Sequence, residues 1–235
     1  MDFRQIEQLF TTQLSLTHRP VAVAFLKAAP VSIEQFDGVQ PSGCSFWALA
    51  SVGRTFYTVA ADHYNCPIGS HTHHIPMPAG RATELNDTLE FMVGIGYLRM
   101  EEVPAIPRLA DTPKVVLYAP LAETPVDPDV VLFWGPPGRV MLLQEAANRA
   151  GVAGQLNLLG RPTCMAIPAA LSFGTVASAG CIGNRVYTGL ADSEMYVAVP
   201  GRDLQRVADE MPTVIAANAT LLSYHEGRKA QLVRA

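Results

Sequence analysis

The chain has 235 residues, a formal net charge of −4 and 17 Lys and Arg residues scattered along the sequence. Scattered basic residues do not form the positive stripe that binds phosphates, so the sequence argues against a nucleic-acid partner. Hydrophobic residues make up 49% of the chain and charged residues only 16%, which excludes a disordered protein. Because few charged groups are available to cover the surface, we expect a homo-oligomer, most simply a homodimer.

The first residues, from Met1 to Glu7, lack the basic segment followed by an apolar segment that marks a secretory signal. The longest apolar runs, such as Val21 to Leu26, are far shorter than a membrane span. We therefore expect a cytoplasmic protein with no membrane partner. Cytoplasmic thiols stay reduced, so the four cysteines are better interpreted as thiols or metal ligands than as disulfides.

Apolar residues at helical spacing predict helices, whereas short runs rich in valine or other β-branched residues predict strands. In chain order the predictions are a helix over 2–15, a strand over 21–26, a helix over 46–52, a strand over 55–60, a helix over 82–98, strands over 115–119 and 130–134, a helix over 140–150, strands over 172–177 and 195–199, and helices over 202–211 and 212–230. No low-complexity linker divides the chain. The sequence therefore predicts a single α+β domain over residues 1–235, with a mixed sheet and flanking helices.

Two similar cassettes indicate an internal duplication. Each contains a cysteine, a strand-like run and a second cysteine: Cys44, TFYTVA at 55–60 and Cys66 in the first, and Cys164, SFGTVA at 172–177 and Cys181 in the second. The Phe, Thr, Val and Ala of the two runs are identical. We expect two pseudo-equivalent halves, about 20–120 and 125–235, which an approximate twofold axis relates so that their cysteines approach each other.

Four cysteines brought together from two halves match the ligand count of an iron–sulfur cluster. The leading hypothesis is a metal-cofactor protein that binds such a cluster through Cys44, Cys66, Cys164 and Cys181 and serves redox or sulfur chemistry on a small molecule, with a separate redox partner as an option. Zinc is a weaker interpretation because the chain has no C-x-x-C pair. Four small buried hydrophobes are the plain structural alternative.

Two other functions remain open at this point. Cys66 has His63 three residues before it and further histidines after it, so it is a candidate nucleophile in a cysteine-dependent enzyme. The first cysteine of each cassette appears at a helix start, where backbone N–H groups lower a thiol pKa. A non-enzymatic binding protein, with a small-molecule pocket between the two halves, is the other alternative.

The sequence Ser70-His71-Thr72-His73-His74 is rich in histidine. On an extended chain His71 and His73 would face the same side and form a pair suited to Zn, Ni or Cu. No carboxylate lies within the tract to complete such a site. A solvated loop is the favoured interpretation.

Three motifs resemble the bacterial and archaeal family known as domain of unknown function 169. They are RPVAV at 19–23, GCIGNR at 180–185 and EMYVAVP at 194–200, and the similarity covers nearly the whole chain. The resemblance implies a single cytoplasmic prokaryotic domain, gives no settled activity and draws attention to the four cysteine positions. The histidine-rich tract after Cys66 departs from the plainer Gly-rich loop that the family leads us to expect.

Overall fold

The computed structural model describes residues 2–152 and 158–233. Hydrophobic residues at helical spacing form its α-helices, and in most of them one side packs against a sheet. The α-helices of these described ranges are α1 Phe3–Leu14, α2 Gly43–Ser51, α3 Pro67–Thr72, α4 Ala79–Gly94, α5 Pro137–Arg149, α6 Ala166–Phe173, α7 Ile182–Thr188 and α8 Leu204–Val233.

One continuous sheet runs through the molecule. Its strands are β1 Val21–Leu26, β2 Phe56–Val59, β3 Val115–Pro120, β4 Val130–Gly135, β5 Leu158–Leu159, β6 Val176–Ser178 and β7 Met195–Pro200. The strands lie in the order β2-β3-β1-β4-β7-β6-β5. Neighbours are antiparallel except β5, which runs parallel to β6. The prediction of an α+β fold with a sheet and flanking helices is confirmed.

The central strands are buried on both faces, which gives the fold three layers. In β1, Val21 and Val23 face a core formed with α2 and α6, whereas Ala22 faces a core formed with α1, α5 and α8. This alternation follows from the two-residue period of a strand. Trp47 and Trp134 also lie in the first core.

The two sides of the sheet repeat one pairing pattern. Val21, the first residue of β1, pairs with Pro120, the last residue of β3, and Val130, the first residue of β4, pairs with Pro200, the last of β7. The outer strands continue the pattern, because β2 pairs with β3 and β6 pairs with β7, in both cases antiparallel. The spatial order β1-β3-β2 is thus matched by β4-β7-β6.

The strand predicted over 172–177 is wrong in its first part. Helix α6 extends to Phe173, Gly174 follows with φ 93°, and the strand begins only at Val176. Glycine adopts this positive φ at little cost, so it ends the helix and redirects the chain. Phe56 therefore lies in a strand and Phe173 in a helix, and the six-residue match between the cassettes does not join equivalent positions.

The two helices predicted over 202–211 and 212–230 are one helix, α8, which continues through Pro212. Val207 and Met211 before the proline and Val214 after it are all buried against the same core. This packing on both sides outweighs the backbone hydrogen bond that proline removes. No helix in the described part of the chain combines the length and apolarity needed to cross a bilayer.

Candidate functional site

The four predicted cysteines occupy two pairs of similar local positions. Cys44 is the second residue of α2, which Ser42 caps, and Cys164 lies in the 3-10 turn Thr163–Met165 that leads into α6. Cys66 and Cys181 each precede a short helix, α3 and α7 respectively, as its cap residue. The second cysteines therefore stand at helix starts.

The structure brings all four cysteines to the wall of one cavity of about 680 Å³. Its lining comes from α2, α3 and α4 in the first part of the chain and from the 163–165 turn and α7 in the second part. Cys44 and Cys164 are buried, and Cys66 and Cys181 are half-buried. Residues far apart along the chain thus place their sulfur atoms around a common space.

Burial raises the pKa of Cys44, Cys66 and Cys164, and the neighbouring thiols add to this effect. Negative charge on Cys66 or Cys181 raises the pKa of Cys44, and negative charge on any of the other three cysteines raises the pKa of Cys164. The expected lowering of the first thiols' pKa at a helix start is wrong, because desolvation outweighs the helix dipole when a thiol is removed from water. Without a bound cation these three thiols are neutral at pH 7.

Backbone N–H groups contact the Cys66 thiol, and a threonine side chain contacts Cys164. The N–H groups of Gly43 and Gly69 donate to the Cys66 thiol and lower its pKa, against the larger effect of burial. The Thr72 side chain lowers the pKa of Cys164, while its hydroxyl donates to the Gly69 carbonyl at 3.0 Å. Cys66 and Thr72 both belong to the α3 segment, so this segment lies beside the sulfur atoms of Cys66 and Cys164, which are distant along the chain.

Asn184 is a site residue that the sequence reasoning missed. It lies in α7, three residues after Cys181, lines the cavity and is only 2% exposed. Its amide lowers the pKa of the Cys44 thiol, against burial, yet neither Nδ2 nor Oδ1 makes a hydrogen bond of normal geometry within the described residues. Its position in the GCIGNR motif at 180–185 could have identified it as a site residue.

The histidine tract is neither an extended strand nor a solvated loop, so both predictions for it are wrong. Pro67 stands at the first position of α3 and starts a helix that includes His71. His73 follows that helix and is fully buried, with its ring 5.6 Å from the ring of Phe25. His71 and His73 therefore do not form the metal pair that an extended chain would have produced.

The buried histidines are neutral and stand apart from the thiols in their hydrogen bonding. Nε2 of His63 lies 2.7 Å from the Thr58 hydroxyl, and Nδ1 has no hydrogen-bond partner in the described residues. Burial lowers the pKa of His63 to about 3 and that of His73 to about 4. Cys66 contacts His63 through the backbone, since its N–H donates to the His63 carbonyl at 2.9 Å.

Across the described residues, no three His, Cys, Asp or Glu side chains converge closely enough to hold a metal ion. The four sulfur atoms therefore surround the cavity without meeting at a single-ion distance. A zinc ion needs its thiolates at about 2.3 Å from one centre. In an iron–sulfur cluster the cysteines are shared among several irons, so their sulfur atoms stand further apart.

Comparisons with known proteins agree with the motifs found in the sequence. The model of the DUF169 family, described as "Uncharacterised ArCR", matches residues 10–210. The chain is 26% identical over 214 residues to the Uncharacterized protein MJ0308 of Methanocaldococcus jannaschii, which covers 84% of this chain and 88% of that protein. No solved structure matches significantly. The family match includes all four cysteine positions.

Proposed function

We propose that this chain, which belongs to the DUF169 family, holds an iron–sulfur cluster through Cys44, Cys66, Cys164 and Cys181. The observation that carries the proposal is that every cysteine of the chain lines the same cavity, two from each half. When bound, the cluster would supply redox or sulfur chemistry for a small molecule. The number and type of donors agree with the Cys₄ ligation of such clusters.

The lack of a C-x-x-C pair favours a cluster over a single zinc ion. A zinc site draws four thiolates to one centre, whereas the described residues contain no set of three donors at that spacing. The mutual electrostatic effects among the cysteines are consistent with four ligands of one larger group. Measurement of the bound metal distinguishes zinc from iron.

The surroundings of the sulfur atoms suit a group that carries its own positive charge. Burial keeps the thiols of Cys44, Cys66 and Cys164 protonated, so ligand binding must release their protons. Metal cations invert the pKa preference of such a site because they stabilise the thiolate directly. The N–H groups of Gly43 and Gly69 then stabilise the remaining charge on Cys66.

We also propose that the chain is one domain that arose by internal duplication. The repeated strand pairing supports this. In β3, Val116 pairs with Thr58, and in β7, Tyr196 pairs with Ser178. Val116 and Tyr196 lie the same number of residues before the last proline of their strands. By this register Thr58 corresponds to Ser178. These two residues are as many positions apart along the chain as Cys44 and Cys164. The duplication would explain why the cysteines come in two pairs.

The protein would act in the cytoplasm as a homodimer, together with a redox partner or small molecule. Four cysteines that the structure describes as free thiols support the first expectation. The second is supported by the exposed apolar residues of the outer part of α8, which are Leu221, Leu222, Tyr224 and Leu232. Light scattering on the purified chain measures the subunit number, and a monomer at micromolar concentration would overturn the homodimer.

Purification without oxygen, followed by measurement of iron, acid-labile sulfide and visible absorption, tests the cluster. We expect brown protein with iron and sulfide, and loss of most iron in Cys164→Ser and Cys181→Ser. Ala48→Ser is the matched control, because it adds a hydroxyl one turn after Cys44 at a residue outside the cavity wall. Protein that stays colourless after incubation with iron, sulfide and reductant, or that carries zinc instead, would overturn the proposal.

A further inference from the structure

Helix α4 has an apolar side that the described residues bury only at Leu85. Leu85, Leu89 and Met92 follow each other at helical spacing and line the cavity, and Leu85 alone is buried among the residues of this helix. A helix of a globular protein normally buries such a stripe in a core. Here the stripe faces the cavity, so something other than the described protein residues must complete the contact.

The mouth of the cavity is apolar on both sides. Phe91 and Ile95 at the end of α4 are 65% and 61% exposed, and Ile182 and Tyr187 of α7 are 65% and 48% exposed on the opposite side. Both pairs line the same cavity and are exposed, so apolar surface from both helices borders it. An apolar body placed between them would remove both surfaces from water.

The charges in the wall argue for an uncharged ligand. Among the described residues that line the cavity, Arg161 is the single cation, and it already contacts Glu102 at 3.3 Å and stacks 4.6 Å over the ring of Tyr97. The carboxylates in the wall are Glu84 and Glu102. Arg81 pairs with Glu84, and Arg99 pairs with Glu102. An anionic ligand would therefore meet no free positive charge in the wall.

The inner end of the cavity offers one polar group for recognition. The Asn184 amide lines the cavity, is 2% exposed and leaves both its donor and its acceptor without a hydrogen bond of normal geometry. Buried polar groups in proteins are hydrogen-bonded in most cases. The amide is thus available to a group that both donates and accepts.

We propose that this cavity binds a neutral, largely apolar organic molecule whose polar end reaches Asn184 beside the cysteines. The volume of about 680 Å³ falls within the range of small-molecule sites. The molecule would enter between α4 and α7, with its apolar body against Leu89 and Met92. The proposal names the ligand class of the cysteine site, and it rests on the proposed function for what the cysteines themselves hold.

Equilibrium dialysis with phenylnaphthylamine and with its sulfonated analogue tests the proposal, because the two probes share one aromatic body and differ in a negative charge. We expect saturable binding of one neutral probe molecule per chain, and binding of the sulfonate weaker by about tenfold or more. Ile182→Asn should weaken binding of the neutral probe by about tenfold, since it removes an apolar contact at the entrance.

Val186→Asn is the matched control, because Val186 is 71% exposed on the same helix and lies outside the cavity wall. Both substitutions are at exposed positions, so folding is retained. The ligand proposal is overturned if the neutral probe does not saturate, if the sulfonate binds equally well, or if both variants weaken binding alike. Iron content in the same samples reports the cluster separately, so either proposal can fail while the other holds.

Discussion

A methyl group on Gly69 would lie 2.8 Å from the sulfur of Cys66. The thiol therefore rests on the first turn of α3, where the absence of a side chain lets the Gly69 N–H donate to it. Only glycine combines this close approach with a free backbone donor. The glycine after the cysteine is thus part of the site and not a loop residue chosen for flexibility.

Gly69→Ala should displace the Cys66 sulfur and weaken its backbone hydrogen bond. Loss of such an outer contact reduces metal affinity by about 10- to 100-fold, so we expect iron to be removed by a chelator at correspondingly lower concentration. Gly80→Ala is the control, because a methyl group there meets nothing within 4 Å. Equal iron retention in the two variants would show that the position of the Cys66 sulfur does not affect iron binding.

Asn184→Leu should stabilise the iron-free protein while weakening iron binding. Replacing a buried amide that lacks proper hydrogen bonds by an apolar side chain of similar size is neutral or favourable by about 1 kcal/mol. The same change removes the amide beside Cys44 and is expected to lower iron affinity about tenfold. Urea unfolding and chelator competition measure the two effects. A variant that is destabilised and keeps its iron would identify a purely structural amide.

The buried histidines should make the protein sensitive to mild acid. Burial lowers the pKa of His63 to about 3 and of His73 to about 4, so below pH 6.5 the unfolded chain binds protons that the folded chain does not. Their stabilising effect is complete above the unfolded pKa and is lost as the pH falls towards the folded values. Between pH 7 and pH 5 each histidine should reduce the free energy of unfolding by about 2 kcal/mol.

Replacement of one buried histidine should remove its share of this loss. In His73→Leu the difference in unfolding free energy between pH 7 and pH 5 is expected to fall by about 2 kcal/mol. His225→Asn is the control, because His225 is exposed on the outer part of α8. Urea unfolding at the two pH values measures the difference, and an unchanged pH dependence in His73→Leu would show that His73 binds its proton equally well in the folded and the unfolded chain.

Gly201→Ala should be among the most destabilising changes of a single methyl group in this chain. A Cβ there would lie 1.7 Å from the Pro128 carbonyl oxygen, and the Gly201 N–H donates to the Asp129 carbonyl at 2.8 Å. Relief of the clash requires backbone movement, so we expect a loss of about 3 kcal/mol or more. Gly227→Ala on the exposed part of α8 should instead be neutral or stabilise the protein; similar midpoints for the two variants in urea would contradict the close approach.

Local sequence patterns predicted most of the fold. The strands β1, β3, β4 and β7 are continuous runs of apolar residues, and each was predicted within about one residue of its observed bounds. Central strands are buried on both faces, so composition alone reveals them. The pattern failed over 166–177, where an apolar run is equally suited to a buried helix and a strand, and where Gly174 sets the boundary.

The sequence by itself determined the element types, the family and the two cysteine pairs as the candidate site. Only the tertiary structure decided that these sulfur atoms line one cavity, that Asn184 joins them and that α4 leaves an apolar wall open. It also reversed the expected direction of the thiol pKa and placed His73 inside the protein. The physical reason is that desolvation and contact depend on neighbours distant along the chain, which local spacing does not specify.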